Sequence, residues 1–392
     1  MTTDILEARL KRSTVALVRC ETYDPAAVSA ALARGVELLG GLERFVSPGE
    51  RILFKPNVLA GEDPEKAVTT HPAVLVACIR LFRSAGAVVS FGDSPCVEGP
   101  TAGAERAGLY AAGLEAGAAF ADFTAGSHMD NVEGGLVDSF PVAQAVHDCD
   151  GLVNLPKMKT HGLTRITGAV KNLFGCVPGK RKTLYHVQFR DPTAFSRLLV
   201  ELAARVRPRL HVMDGVVAME GNGPRGGDPR PMKVLLLSED PVAVDATFCR
   251  LVAMEPFLVP TNRLGEEHGL GRFAADGIEI VGDDLDPLID PDFKVVRKPV
   301  YSNASLAHFN LIKNLLLPRP VIDEESCVRC GQCVEACPVP GKAVQFEDGG
   351  NRDSPPAYDY DRCIRCYCCH ETCPHRAIDK QTPLLGRLFN LG

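Results

Sequence analysis

The chain contains 392 residues, carries a net charge of −6, has no tryptophan, and is only 6% aromatic. This length predicts two or three domains with a sizeable buried core. Nucleic-acid surfaces are usually basic and stack bases on aromatic side chains, so we expect no nucleic-acid partner. No apolar run in this chain is long enough to cross a bilayer, so we also expect no membrane span.

The N-terminal segment predicts the compartment. Residues 1–20 include Asp4, Glu7, Arg9 and Lys11 and lack the apolar core of a signal peptide. We therefore expect a cytoplasmic protein, in a reducing environment where cysteines hold metals more often than they form disulfides.

Roughly the first 300 residues alternate short apolar runs with helical patterns, which predicts an α/β fold, a layered sheet with helices on both faces. The predicted strands are Thr14–Arg19, Arg51–Phe54, Ala87–Phe91, Gly151–Leu155, Leu210–Met213, Lys233–Leu237 and Gly277–Val281. The predicted helices are Ala26–Leu39, Pro72–Ala85, Ala102–Ala116, Pro192–Arg205 and Pro241–Met254. The predicted division is an α/β domain (1–300), a connector (301–320), a small cysteine-rich α+β domain (321–381) and a tail (382–392).

Polar side chains follow several of these strands, at the edge where open α/β sheets bind ligands. Lys55 and Asn57 end the second strand, and Asp93 follows the third. Asp214 opens a glycine-rich stretch that fits neither a dinucleotide fingerprint nor a P-loop and is expected to form a lid or cradle. We predict that these four residues bind a ligand, although each alone is equally compatible with a turn or a cap.

The segment from Asn154 to His186 is the richest in candidate site residues. Its lysines and glycines suit an anionic ligand, because glycine lets backbone N–H groups approach and lysine neutralises charge. Its predicted ligand-binding residues are Lys157, Lys159 and Asn172, and its predicted catalytic residues are His161, Lys171 and His186. A solvated basic loop, or a Lys171 that caps a helix or pairs with a buried carboxylate, is the alternative. The residues expected to converge on one pocket are Lys55, Asp93, Lys157, His161, Lys171 and His186.

Six cysteines lie before residue 300. Four of them stand in apolar settings and are predicted to pack in the core: Cys20, Cys78, Cys149 and Cys249. Cys96 and Cys176 fall in candidate site loops and are either packing residues or reactive thiols.

The connector and the tail carry short apolar stripes. The connector, with Leu306 and Phe309 among its apolar residues, is predicted to dock on one of the two domains. The tail carries Leu384, Leu388 and Phe389 and is predicted to dock on the core, with contact to a membrane surface or a partner as the alternative.

Eight cysteines near the C-terminus repeat one spacing, C-x2-C-x2-C-x3-C-P, at an offset of 36 residues. The two runs are Cys327, Cys330, Cys333 and Cys337, and Cys363, Cys366, Cys369 and Cys373. In bacterial-type ferredoxins this run holds two [4Fe–4S] clusters, and the fourth cysteine of each run reaches the other cluster. The expected ligands are Cys327, Cys330, Cys333 and Cys373 for one cluster, and Cys363, Cys366, Cys369 and Cys337 for the other.

Zinc and disulfides are the weaker alternatives for these cysteines. Zinc accepts paired C-x2-C groups, but a third cysteine at the same step and a closing Cys-Pro are not its usual pattern. Cys368 breaks the spacing, so it is predicted to be a spare thiol near a cluster rather than an alternative ligand.

A set of motifs in the large domain makes the chain resemble the family called domain of unknown function 362. In order, they are FKPN (54–57), THP (70–72), GDSP (92–95), LPKMKTH (155–161), TGAVKNLFG (167–175), DG-x5-G-x-GP (214–224) and EDPVAVDA (239–246). The resemblance covers about residues 14–380, and it implies an α/β domain fused to a two-cluster ferredoxin module.

A second, local resemblance is to nickel-pincer lactate racemases. His161, Lys171, a Val-Pro-Gly turn and His186 follow one another in the order of that family. The resemblance implies that Lys171 carries a pyridinium-derived nickel cofactor and that the two histidines serve as metal ligand or acid/base. The glycines around Lys171 differ from the family's, and Asn172 follows Lys171 here.

These observations predict an iron–sulfur redox protein, with an oxidoreductase as the first hypothesis, that passes electrons between two [4Fe–4S] clusters and a ligand site in the α/β domain. The expected partners are a redox protein and an anionic small molecule. A ferredoxin-like carrier whose large domain only docks a partner is one alternative, and a racemase-like enzyme with a metal cofactor on Lys171 is another. No flavin or nicotinamide motif is readable, so a further cofactor stays open.

Overall fold

The computed structural model describes residues 12–95, 98–179, 181–300, 310–347 and 350–389. The strands of the large domain are β1 (Ser13–Arg19), β2 (Arg51–Pro56), β3 (Val88–Phe91), β4 (Ala119–Phe120), β5 (Gly126–Asp130), β6 (Ser139–Ala143), β7 (Gly151–Leu155), β8 (Lys157–His161), β9 (Arg165–Ile166), β10 (Leu210–Glu220), β11 (Asp228–Ser238) and β12 (Ile278–Gly282). The helices are α1 (Pro25–Leu38), α2 (Pro72–Ser84), α3 (Pro100–Arg106), α4 (Leu109–Glu115), α5 (Gln144–Asp148), α6 (Gly168–Asn172), α7 (Arg181–Gln188), α8 (Pro192–Val206), α9 (Pro241–Leu251) and α10 (Pro260–Glu267).

The central sheet is mixed. Its strand order is β12-β1-β11-β10-β7-β2-β3-β4, with β8 beside β10 and β9 beside β8. Strand β11 runs antiparallel to both of its neighbours, whereas β10, β7, β2, β3 and β4 run parallel to one another. The carboxyl ends of these parallel strands therefore meet at one edge of the sheet, where ligands bind in open α/β folds.

Helices cover both faces of the sheet, as the sequence predicts. In β11, Leu235 and Leu237 pack in the same core as α1 and α2. Leu236, between them, packs in the opposite core with Phe248 of α9. The continuous apolar run of β11 is thus buried on both faces, because successive side chains of a strand point to opposite sides.

Most predicted elements agree with the structure, and the differences have local causes. The helix predicted over Ala102–Ala116 is two helices, because Gly108 adopts a left-handed conformation with φ of 69° between α3 and α4. Strand β10 continues beyond Met213 to Glu220. Part of the predicted glycine-rich loop is therefore strand.

The C-terminal module is built from two small antiparallel pairs and short helices. Its elements, with the preceding helix and the tail, are α11 (Asn310–Leu316), β13 (Arg319–Ile322), α12 (Gln332–Ala336), β14 (Val344–Gln345), β15 (Ala357–Tyr358), α13 (Cys368–Thr372), β16 (Ile378–Gln381) and α14 (Leu384–Leu388). Strand β13 pairs with β16, and β14 pairs with β15. Because Arg319 already pairs with Gln381, β13 begins before the predicted boundary at residue 321.

The tail differs from the prediction that it docks on the core. Helix α14 packs against α11, with Gly386 close to the backbone of Leu316. This leaves Leu384, Leu388 and Phe389 about three-quarters exposed, at 74%, 73% and 68%. Leu306 and Phe309 of the connector lie outside the described residues. No helix in the described part of the chain is long and apolar enough to cross a membrane.

A buried ion pair joins the middle of the sheet to the start of α2. Lys157 Nζ in β8 donates to Asp214 Oδ2 in β10 and to the Tyr23 hydroxyl, each at 2.8 Å. The Tyr23 hydroxyl donates to Asp214 Oδ1 at 2.8 Å, and the backbone N–H of His71 donates to Asp214 Oδ2 at 2.9 Å. The rings of Tyr23 and His71 stack with centroids 3.6 Å apart. Each charge is therefore matched by nearby polar groups.

We predict that Lys157→Met destabilises the protein by about 3 kcal/mol, because it leaves the Asp214 carboxylate buried without its cation. Urea denaturation of the anaerobic protein measures this effect. The double variant Lys157→Met/Asp214→Asn is expected to lose less free energy of unfolding than the two single variants lose in sum. An unchanged unfolding midpoint for Lys157→Met would contradict the structural role of this pair.

Candidate functional site

The C-terminal module contains two cavities that are each lined by four cysteines. The cysteines of the first cavity are Cys327, Cys330, Cys333 and Cys373, and those of the second are Cys337, Cys363, Cys366 and Cys369. Each group takes three cysteines from one run and one from the other, as the spacing predicts. The empty space within them is about 340 and 300 Å³, open parts included. The assignment of individual ligands stays a prediction.

The two cysteine runs share one local backbone pattern. Arg329 and Arg365, at equivalent positions, have φ of 58° and 59°, and Gly331 and Tyr367 have φ of 82° and 61°. Such alternation of left-handed residues curls the backbone around a centre, with its N–H groups facing inward. A short helix follows each curl, so that the fourth cysteine is carried towards the other cavity.

The thiols differ in their accessibility. Cys330 is exposed, whereas Cys337, Cys363 and Cys369 of the second cavity are buried. Cys368 is buried but is not among the residues that line either cavity. Its thiol hydrogen bonds to Cys366 and lowers the pKa of the Cys366 thiol.

Within the described residues, no three His, Cys, Asp or Glu side chains are grouped for a single metal ion. A cubane requires its thiolates further apart than one zinc ion does.

A pocket in the large domain opens at the carboxyl ends of the parallel strands and encloses about 530 Å³, its open mouth included. The sequence-predicted residues that line it are Asn57, Asp93, Lys159, His161, Lys171, Asn172 and His186. It is also lined by residues that sequence reasoning did not select, among them Ser94, Thr167, Phe174, Gly175, Lys182, Pro224 and Glu371.

The base of the pocket is a buried ion pair. Lys55 Nζ lies 2.7 Å from Asp93 Oδ1, and both side chains are almost fully enclosed. Asp93 also accepts hydrogen bonds from the backbone N–H groups of Val58 and Ser94. A Cβ atom at Gly175 would collide with both members of the pair. Only glycine therefore lets the segment after α6 pass this close to Lys55 and Asp93.

Three asparagines behind the pocket form a directed chain. Asn57 Nδ2 donates to Asn172 Oδ1, and Asn172 Nδ2 donates to Asn154 Oδ1, each at 2.7 Å. Lys55 Nζ, which can only donate, also contacts Asn172 Oδ1 at 3.3 Å. The contact with Lys55 identifies the Asn172 atom as oxygen, and so the Asn57 atom bonded to it is nitrogen. Asn57 Oδ1 is the end of this chain of amides and has no hydrogen-bond partner among the described residues.

Helix α6, which carries Lys171 and Asn172, is held at its start by Asp245. The Asp245 carboxylate accepts hydrogen bonds from the backbone N–H groups of Ala169 and Val170. Burial raises the pKa of Asp245 to about 8 despite these bonds. Asp245 belongs to the EDPVAVDA motif, but its position in the apolar interior of α9 gave no signal of a role at the site.

The polar contacts of His161 define its tautomer. Its Nδ1 accepts from the backbone N–H groups of Leu163 and Thr164, at 3.0 and 3.4 Å, so the proton is on Nε2. Nε2 lies 2.9 Å from Glu371 Oε1 of the C-terminal module, although its N–H is poorly aligned with that oxygen. Burial, and next the charge of Lys171, lowers the pKa of His161 to about 3. His161 is therefore neutral.

Lys159, His186 and Lys171 differ in the contacts that their side chains make. Lys159 Nζ donates to the Val68 carbonyl at 2.7 Å, and burial holds the pKa of Lys159 well below its usual value. His186 stacks on Phe195 with centroids 4.3 Å apart, and burial lowers its pKa to about 4. Lys171 is half-buried and makes no hydrogen bond or ion pair with the residues that the structure describes.

The C-terminal module packs over the same region of the large domain. Arg225 Nη1 donates to the Thr372 carbonyl at 2.6 Å, and His370 Nε2 lies 2.5 Å from Asn222 Oδ1. Lys380 Nζ donates to the Gly162 carbonyl at 2.7 Å, next to His161. These contacts bring Glu371 to the pocket. Burial by itself raises the pKa of Glu371, but the nearby His161 ring and the charge of Lys171 lower it.

The structure does not bring every predicted site residue to this pocket. Lys157 and Asp214 bind each other in the middle of the sheet and do not line the pocket. Lys55 does not line it either, because its side chain is fully enclosed beside Asp93. Lys157 stands at the start of β8, four residues before His161, which is about 13 Å along a strand. Cys176 is fully buried, and burial raises its pKa to about 12, so it is a packing residue. Cys96 lies outside the described residues.

The comparisons with known proteins agree with this architecture. A family described as a domain of unknown function (DUF362) matches residues 52–250, half of the chain. The chain belongs to the DUF362 family. A 4Fe–4S dicluster domain matches residues 319–374 of this DUF362 protein, which confirms that the C-terminal module is an iron–sulfur domain. Two clusters are consistent with that match.

This DUF362 protein has relatives among curated proteins and solved structures. It is 35% identical over 263 residues to the thylakoid-associated protein of Synechocystis sp., an alignment that covers 67% of this chain and 81% of the relative. The lactate racemase apoprotein of Thermoanaerobacterium thermosaccharolyticum matches 62% of this chain and 57% of its own, with 11% identity and a TM-score of 0.39. A Thermotoga maritima protein matches 64% and 60%, with 12% identity and a TM-score of 0.37. The chain spans less than two thirds of the length of either structure.

We predict that Cys333→Ser reduces the iron content of the anaerobic protein from about eight to about four atoms per chain, because one cubane loses a ligand. Cys368→Ser is the matched control, a neighbouring thiol that lines neither cavity, and it is expected to keep the full iron content. Iron analysis and electron paramagnetic resonance of the reduced protein measure both. A loss of iron in Cys368→Ser would overturn the predicted ligand set.

Proposed function

We propose that this DUF362 protein is an iron–sulfur redox protein in which electrons pass between two [4Fe–4S] clusters and a small-molecule site in the α/β domain. The observation that carries the proposal is the position of Glu371. It lies between Cys369 and Cys373, one from each cysteine cavity, and it also lies in the wall of the pocket beside His161. The segment of α13 and the cysteine that directly follows it thus connects both cavities to the pocket.

The thiols of the module suit iron–sulfur clusters, which supply single-electron transfer when bound. The protein's contribution is to tune the cluster environment through burial and hydrogen bonds to sulfur. The Tyr358 hydroxyl donates to Cys369 Sγ at 3.2 Å, and the Cys368 thiol bonds to Cys366. Both contacts belong to the second cavity, so we expect that cluster to have the higher reduction potential.

A redox partner protein is the expected source or acceptor of electrons. The first cavity is the more accessible of the two, since Cys330 is exposed and the neighbouring Val328 is 56% exposed. A partner that docks at this face would exchange electrons with the first cluster.

The pocket suits an anionic ligand because Lys171 makes no ion pair there and Lys159 is close by. Reduction of a bound molecule also requires exclusion of water, and the C-terminal module contributes to this by packing over the region through Thr372 and Lys380. A carrier without its own chemistry would leave a flat surface near Lys171, whereas Lys171 here lines a pocket.

A racemase-like enzyme with a metal cofactor on Lys171 is the second candidate. The observation that favours it is that Lys171, His161 and His186 all line the same pocket. Intact-mass measurement and nickel analysis of the anaerobic protein distinguish the two candidates. A covalent mass increase on Lys171 together with bound nickel would favour the racemase-like enzyme.

We predict that Lys171→Ala abolishes retention of bound small molecules while the iron content stays at about eight atoms per chain, because Lys171 supplies charge to the pocket and none to the clusters. Mass spectrometry of molecules released on denaturation measures retention. Lys294→Ala, at a side chain that is 68% exposed, is the control.

The same molecules, added back to chemically reduced protein, are expected to change the rate at which the wild-type clusters reoxidise, and to have no effect on Lys171→Ala. An identical reoxidation rate with and without them in the wild type would contradict electron transfer to the pocket.

A further inference from the structure

We propose that the pocket recognises a small anion that also carries its own hydrogen-bond donor, and that Glu371 of the dicluster module accepts a hydrogen bond from that donor. This inference rests on the proposed function of the pocket and goes on to define the class of ligand. Its basis is a group of buried polar atoms that make no well-aligned hydrogen bond within the described residues, each on a residue that lines the pocket. They are Asn57 Oδ1, Thr167 Oγ1, and the pair His161 Nε2 and Glu371 Oε1, which lie 2.9 Å apart but are poorly aligned.

These atoms are too enclosed to be satisfied by bulk water. None of the four residues exposes more than 9% of its surface. A buried polar atom without a partner costs free energy, and such atoms are uncommon in folded proteins. Their concentration around one pocket indicates that a bound molecule completes their hydrogen bonds.

Two of these atoms can only accept. Asn57 Oδ1 is identified as oxygen by the chain of amides, because Lys55 Nζ fixes the orientation of Asn172 and Asn172 fixes that of Asn57. Glu371 Oε1 is a carboxylate oxygen. A ligand that satisfies these atoms needs an O–H or N–H group. An anion with acceptors alone would leave Asn57 Oδ1 unpaired and Glu371 Oε1 with only its poorly aligned contact to His161.

The charge around the same pocket requires the ligand to be an anion. Lys55 and Asp93 neutralise each other, which leaves Lys159, Lys171 and Lys182 against Glu371. The pKa of Lys159 is lowered first by burial and then by the charge of Lys171. An anion near these two lysines would raise the pKa of Lys159 again, whereas a cationic ligand would lower it further.

Glu371 gives the ligand a direct contact with the iron–sulfur module. Two of its neighbours, Cys369 and Cys373, line different cavities. A donor group held by Glu371 therefore lies within one helical turn of both cysteine cavities, and recognition and electron transfer share one residue. The repeat offers a matched position, since Glu335 occupies the equivalent place in the first cysteine run and is exposed.

Two pairs of anions test the inference on the full-length, iron-loaded protein under anaerobic conditions. Glycolate differs from acetate by a hydroxyl group, and hydrogen phosphate differs from sulfate by its O–H groups. We expect titration calorimetry to give at least about tenfold tighter binding for the donor-bearing member of at least one pair, because the matched anion leaves buried acceptors unpaired. Selectivity in the first pair identifies a carboxylate ligand, and selectivity in the second identifies a phosphoryl ligand.

Two variants assign the selectivity to the proposed atoms. Glu371→Gln is expected to reduce the ratio of affinities within the selective pair by about tenfold, and Glu335→Gln is expected to leave it unchanged. Thr167→Val, which removes a hydroxyl at nearly constant volume, is expected to weaken binding of the donor-bearing anion. Iron content reports whether each variant retains its folded module.

Equal affinities within both pairs, the absence of binding by all four anions, or a ratio unchanged in Glu371→Gln would overturn the inference. These results would leave the proposed redox function standing, because that function is tested separately by the retention of small molecules and the reoxidation of the clusters. Conversely, clusters that do not respond to any retained molecule would overturn the redox function even if the selectivity were observed.

Discussion

The pairing of buried charge at the carboxyl end of the central sheet is the constraint on which the site depends. Lys55 and Asp93 have almost no contact with water, and an isolated charge in that position would be strongly unfavourable. The segment after α6 can cover this pair only because Gly175 has no side chain that would collide with it. The amide of Asn172 then bonds to Lys55 and Asn57, and this order of contacts leaves Lys171 at the pocket.

The position of α6 depends also on the buried carboxyl group of Asp245 at the start of the helix. Asp245 accepts the first free N–H groups of α6, and the left-handed Gly168 leaves no room for a side chain beside it. A short helix of five residues has little stability of its own. Its orientation therefore comes from tertiary contacts at both ends, Asp245 at one and Lys55 with Asn172 at the other.

The iron–sulfur module changes the chemistry of the pocket because it adds an acidic side chain to a cluster of lysines and histidines. Two of the contacts that hold it there are hydrogen bonds to backbone carbonyls, from Arg225 to Thr372 and from Lys380 to Gly162. A backbone carbonyl is fixed in direction by the path of the chain. These bonds therefore orient the helical turn α13 as well as attach the module to the large domain.

The sequence by itself determined the parts of this protein that rest on local spacing and periodicity. Strand β7 agrees with its predicted bounds, and the cysteine runs predict the two four-cysteine groups, because these features depend on neighbouring residues along the chain. Local spacing does not place Lys157 correctly. It belongs to the same run as Lys159 and His161, yet its register opposite Asp214 commits it to a different network. Glu371 is more than 200 residues from His161, and nothing in its own segment distinguishes it from the exposed Glu335 in the equivalent position. Only the tertiary structure decided which of the two glutamates reaches the pocket, because that depends on how the two domains pack.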